Sequence, residues 1–154
     1  MIKKIKYITI FISLIFLFGC GYSPLLQKEK IQFYIADLEL NGDRQINNSI
    51  SKNIKKYQNY LENKEPYKVY IESDYIRSVV NKDRSGNPKN YKVTIKINLI
   101  VINSKGKEVN KSFERFSSFS AQNKRVAEKE LENKYKSDLS NLISKDIISF
   151  IINQ

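Results

Sequence analysis

Apolar and polar positions divide the chain into a short uncharged run, a charged tether and six stretches of regular period. Tyr7 to Phe18 carries no charge and follows Lys3, Lys4 and Lys6. A basic flank, an apolar run and the small residue Gly19 make the anatomy of an export signal. Beyond Gln27-Lys28-Glu29-Lys30, the stretch Ile31 to Ile35 alternates with β-branched and aromatic residues and predicts a strand. Asn41-Gly42-Asp43 ends it, and Asn41 or Asp43 is suited to cap a following helix. From Arg44 to Leu61, the residues Ile46, Ile50, Ile54, Tyr57 and Leu61 recur at helical spacing. Pro66 stops that helix, because the residue before a proline disfavours the helical region.

A period of two then returns. Tyr67, Val69, Ile71, Tyr75 and Val79 share one face of a long strand, with Lys68, Glu72 and Asp74 on the other. A polar loop runs from Lys82 to Asn90. The strand from Tyr91 to Asn103 is the strongest, with Val93, Ile95, Ile97, Leu99 and Val101 pointing one way. Ser104-Lys105-Gly106 makes a short turn. The fourth strand starts near Val109, but Phe113, Phe116 and Phe119 are three apart, so a bulge near Glu114-Arg115 is expected to restore their facing. From about Asn123 to Ile152, Ala127, Leu131, Tyr135, Leu139, Leu142, Ile143, Ile147, Phe150 and Ile151 mark a long helix. The order β-α-β-β-β-α predicts an α+β two-layer sandwich: a four-stranded mixed sheet with both helices on one face. The opposite sheet face is expected to be polar and basic.

Composition narrows the chemistry. Removing residues 1–19 takes three lysines from the 27 basic residues and leaves 24 against 16 acidic ones, a formal charge of +8. That excess suits anionic partners, or else a lysine-rich solvated surface. There is no histidine and only one cysteine, which removes His-dependent triads and the commonest metal ligands. The carboxylate pairs Asp37/Glu39 and Glu72/Asp74 each lie on one strand face without a positioning partner. No catalysis, metal or cofactor is expected.

The lone Cys20 follows Leu17-Phe18-Gly19. Three readings compete for this stretch. The uncharged span from Tyr7 to Gln27 suits a transmembrane anchor, but Gly19, Gly21 and Pro24 interrupt the ~20 apolar residues a spanning helix needs. An ordinary signal peptide would leave a free thiol. Third, Leu-x-Gly-Cys resembles the lipobox of bacterial lipoproteins, in which the cysteine is acylated and becomes the N-terminus. That resemblance divides the chain into a signal peptide at 1–19, a lipidated cysteine and tether at 20–30, and one domain at 31–154. A diacylglycerol thioether would supply two chains, enough for stable membrane attachment.

Three further stretches extend the resemblance: Gly21-Tyr22-Ser23-Pro24-Leu25 after the lipobox, Arg84-Ser85-Gly86-Asn87 ahead of Tyr91, and Arg115-Phe116-Ser117-Ser118-Phe119 before the last helix. In this order and spacing they resemble the LptE lipoprotein family of Gram-negative bacteria. The resemblance implies a two-layer fold and a lipid anchor on the periplasmic face of the outer membrane. It also implies assembly with, and plugging of, an LptD-like β-barrel, and binding of lipopolysaccharide. By position Arg84 matches a family residue implicated in that binding. Lys82 and Lys89 are its neighbours in the loop, and Lys124 and Arg125 are further candidates. An arginine fork suits the phosphates of lipid A chemically; a solvated hairpin tip would show the same residue types.

Two rival functions remain open. One is an envelope lipid-binding or carrier lipoprotein without a barrel partner, which copurification would distinguish. The other is a nucleic-acid-binding domain. It would need exposed aromatics for stacking, whereas most tyrosines here fall on core faces, and export also opposes it, so no nucleic-acid partner is expected.

Overall fold

The alternation around Ile35 and the break at Gly42 delimit β1 (Phe33–Gly42) in the computed structural model, which describes residues 32–59 and 62–154. The signal segment, Cys20, the tether, Ile31 and Leu61 lie outside the described residues. Asp43 caps α1 (Arg44–Ile54), its carboxylate accepting from the N–H groups of Gln45 and Ile46 at 2.9 and 3.0 Å. Ile46, Ile50 and Ile54 are fully buried, each contributing about 2 kcal/mol. The helix stops sooner than its apolar spacing predicts. A 3₁₀ turn at Lys55–Tyr57 tightens the chain and carries the Tyr57 ring into the core beside Phe33, 6.2 Å between centroids.

Three long strands follow: β2 (Glu65–Lys82), β3 (Pro88–Ile102) and β4 (Glu108–Ser120). The sheet order is β1-β2-β3-β4, with β1 parallel to β2 through the α1 crossover and the last three strands an antiparallel meander. Then α2 (Arg125–Ile152) runs back across the sheet. This is the predicted α+β sandwich. The core lies between sheet and helices, with Val93, Ile95, Ile97, Leu99 and Val101 of β3 all buried at its centre. Strand pairing extends further than the polar composition of the 82–90 loop suggests, leaving residues 83–87 to make the turn.

Three expectations need correction. The β3–β4 register is unbroken from Asn90↔Ser120 to Ile102↔Glu108, so there is no bulge at Glu114-Arg115. Phe113 and Phe119 face the helices, while Phe116 faces out and is 62% exposed. Arg115 takes the intervening inward position, where its guanidinium bonds Asp146 of α2 at 2.7 and 2.8 Å. That pair accommodates a basic residue where a third phenylalanine was expected.

The second correction concerns α2. Leu142 is 44% exposed, and the buried face includes Glu132, Lys136, Ser140 and Ser144 alongside Leu139, Ile143, Ile147 and Ile151. The two serine hydroxyls donate to carbonyls one turn back, at 2.7 Å each, which lets them sit inside.

The third is the outer sheet face, which is polar but not basic. By register, Lys68, Lys92 and Lys96 share it with six carboxylates, among them Asp37, Glu39, Glu72 and Asp74.

Candidate functional site

At the far end of the β2–β3 hairpin, one carboxylate shapes the turn. Asp83 accepts from the backbone N–H of Asn87 at 2.8 Å, that of Ser85 at 2.9 Å and the Asn87 side-chain amide at 3.3 Å. Its own N–H donates to the Asn87 carbonyl at 2.8 Å. Gly86 supplies the positive φ of +86° that the turn requires. The Asn87 N–H is the main reason that the Asp83 carboxyl lies below its usual range, and Lys89 adds a smaller pull. The turn therefore has an internal hydrogen-bond frame, and Arg84 projects from its apex into solvent.

Lys82 ends β2 opposite Pro88, and Lys89 is the second residue of β3. The Lys89 carbonyl accepts from the Ala121 N–H at 2.8 Å, which holds the link between β4 and α2 against the hairpin. An open groove of about 620 Å³ lies between the two, lined by Asp83, Asn87, Lys89, Gln122 and Asn123 among others. Lys124 and Arg125 follow directly, at the N-terminus of α2. Thus the structure gathers all five sequence-predicted cations at one end of the molecule. All five are exposed. Among the described residues, no ion pair or side-chain hydrogen bond occupies any of them. Two cations at the positive end of a helix dipole work against the helix. Glu128 in the first turn offsets them. The carboxylate pairs on β1 and β2 sit on the outer face, away from this end.

Sequence reasoning missed what lies beneath the tip. Arg77 faces inward from β2 and bonds Glu128 at 2.6 Å and Glu132 at 2.7 Å, its guanidinium 3.8 Å from the Tyr91 ring centroid. Tyr75 donates its hydroxyl to Glu132 at 2.8 Å, and Lys129 adds an ion pair at 3.2 Å. One turn along α2, the ammonium of Lys136 meets Asp43 and lies 4.2 Å from the Tyr75 ring centroid. Burial opposes the charge on Glu132, but Tyr75, Lys129 and Arg77 outweigh it and hold the carboxyl below its usual range. Asp43 behaves alike, its burial outweighed by Lys136 and the capped N–H groups. Burial, reinforced by Glu132, pushes the Tyr75 hydroxyl up. The available signal was parity: Arg77 shares the inward face of β2 with Tyr75, and Glu128 and Glu132 are one helical turn apart.

No family model and no curated protein matches the chain. Solved structures do. The fold is similar to that of rare lipoprotein B from Shewanella oneidensis (TM-score 0.60, 10% identity), over 76% of this chain and 94% of that one. It is also similar to a minor lipoprotein from Acinetobacter baumannii (TM-score 0.51, 13% identity), over 75% of this chain and 92% of that one. At such identities the likeness is one of fold.

Proposed function

We propose that this chain is an envelope lipoprotein, anchored through acylated Cys20 at the periplasmic face of the outer membrane. On this reading it is a non-enzymatic assembly factor of the LptE type, which seats in an LptD-like β-barrel and offers its tip cations to the phosphates of lipopolysaccharide. The observation that carries the reading is the exposed tip, where Lys82, Arg84, Lys89, Lys124 and Arg125 flank one groove with no ion-pair partner among the described residues. The likeness in fold to two bacterial lipoproteins supports it.

Geometry suits an anchored module that reaches away from its membrane. Phe33 pairs with Glu65 at the start of β2, so the chain joins the sheet at the end opposite Lys82. The 18 residues of β2 span roughly 60 Å at about 3.3 Å per residue. The tip is therefore held well away from the end at which Phe33 enters the sheet.

The test is a pull-down with full-length, membrane-extracted protein. The wild type should copurify with a large outer-membrane β-barrel and retain lipopolysaccharide at low salt. Arg84→Ala and Lys89→Ala should each weaken lipopolysaccharide retention several-fold, with an unchanged melting temperature. An unmodified Cys20 thiol in the mature protein would overturn the anchored reading. Lipid retention without a barrel would favour the carrier alternative.

A further inference from the structure

Three features of β4 meet between Ser112 and Phe116, on the flank of the molecule away from the tip groove. The first is the sheet edge itself. The Ala121 N–H donates to the Lys89 carbonyl and the Asn103 N–H to the Lys107 carbonyl, at 2.8 and 3.1 Å. These bonds fix the odd-numbered residues of β4 as those that bond β3. Antiparallel alternation then turns the backbone N–H and C=O groups of Asn110, Ser112, Glu114, Phe116 and Ser118 off the sheet. Among the described residues, no hydrogen bond satisfies this edge. A straight edge without a bulge is a template for another strand; the opposite edge, β1, is interrupted between Ile35 and Asp37.

The second feature is an open groove of about 480 Å³ beneath this edge, between β4 and α2, lined by Phe113, Arg115, Asp146 and Phe150 among others. The third is on the outer face, where Ile76, Thr94 and Phe116 form a row across three strands. Thr94 is 6% exposed, but Phe116, the last in the row, is 62% exposed, with the Lys92 ammonium 4.1 Å from its ring centroid. The row thus ends at the open edge on an exposed apolar ring.

We propose that β4 accepts an extended strand from another protein along Asn110–Ser118. The added strand places an apolar side chain beside Phe116 on the outer face. Its inward-facing neighbours enter the groove against Phe113 and Phe150. An extended peptide is the ligand that both pairs the free backbone groups and fills two opposite faces with alternating side chains. A second copy of this chain fits poorly, because a two-fold axis through the middle of the patch sets Glu114 against Glu114. The inference is independent of what the tip binds.

The test uses the full chain in the envelopes of the cells that make it. A photoreactive benzoylphenylalanine replaces Phe116 or Ser112, with the same group at Lys55, in the 3₁₀ turn after α1, as the control. We expect positions 112 and 116, and not 55, to crosslink one protein, through a segment of alternating apolar residues. Ser118→Pro, in the chain with the probe at 116, removes one outward N–H without touching the β3 ladder. It should cut the yield about fivefold, as befits one hydrogen bond of about 1 kcal/mol, whereas Ser118→Ala should not. Where the proline lowers the melting temperature, Phe116→Glu with the probe at 112 makes the same comparison. Adducts only with lipid or with a second copy, no protein adduct, or a yield indifferent to the proline in a chain of unchanged melting temperature, or to the glutamate, would overturn the inference.

Discussion

Gly42 closes β1 with a φ of +99°, and a Cβ there would lie 2.0 Å from the Ser73 carbonyl oxygen. That oxygen accepts from the Asp43 N–H at 3.1 Å, so it has little freedom to retreat from the start of α1. Gly42→Ala should therefore cost about 3 kcal/mol or more, backbone strain adding to a backbone clash. Gly86 has a similar φ of +86° but no atom within 4 Å of the added carbon, and Gly86→Ala should cost only about 1 kcal/mol. Urea midpoints of the two variants make the comparison, and equal losses would show that the clash at Gly42 relaxes freely. Both glycines were legible as breaks in the sequence, but only the fold separates a crowded one from an open one. Glu132 is a case that hydropathy alone misjudges. Hydropathy marks it as polar on a helix, whereas the structure places it at 4% exposure beneath three donors. Its carboxyl and that of Asp43 are held below their usual range in the folded state. The unfolded chain therefore binds protons more readily as the pH falls. Stability should be level above about pH 5 and drop through the acid range below the ordinary carboxylate values. Glu132→Gln should flatten that acid slope in a pH series of denaturation curves.

Elements here are joined by side chains that serve two at once. Asp43 caps α1 and also receives the Lys136 ammonium from α2, tying the first helix to the second. Loss of the cap alone costs about 1 kcal/mol, but leaving Lys136 charged with a side chain only 10% exposed should cost more. Asp43→Ala should thus be clearly worse than a cap deletion. Asp43→Ala combined with Lys136→Met should recover part of the loss, with a coupling of about 1–3 kcal/mol in a double-mutant cycle. Strict additivity in thermal or urea denaturation would show the pair to be independent. Element type and order were legible because strands of period two and helices of period 3.6 follow one another without ambiguity. β4 misled because three phenylalanines invite a single apolar face. The strand kept its period, turned Phe116 outward and gave the inward position to Arg115, since Asp146 waits on the helix. That compensation lies 31 residues away in sequence, outside the reach of any local pattern.

At the scale of the molecule, charge is segregated along the fold. The outer sheet face carries more carboxylates than lysines, whereas the tip gathers five cations about a groove with one lining carboxylate, Asp83. Asp83 is already committed to three bonds within its turn. The sequence named the five tip residues through the family resemblance, which fell on a polar loop and a helix start. It could not show that the Lys89 carbonyl holds the β4–α2 link against the hairpin and brings the two groups together. An exposed cluster of this kind acts through solvent, so salt should screen it over about 10 Å at 0.1 M. Binding of vesicles bearing lipid A should fall steeply between low and moderate salt, and Arg84→Glu with Lys89→Glu should lower it about tenfold or more at low salt. The same pair should leave stability within about 0.5 kcal/mol, because neither side chain is buried or bonded. Vesicle flotation and thermal melting of one preparation read both quantities. Binding that ignored salt and survived the double reversal would separate the tip from any phosphate and leave β4 as the surface with a stated partner.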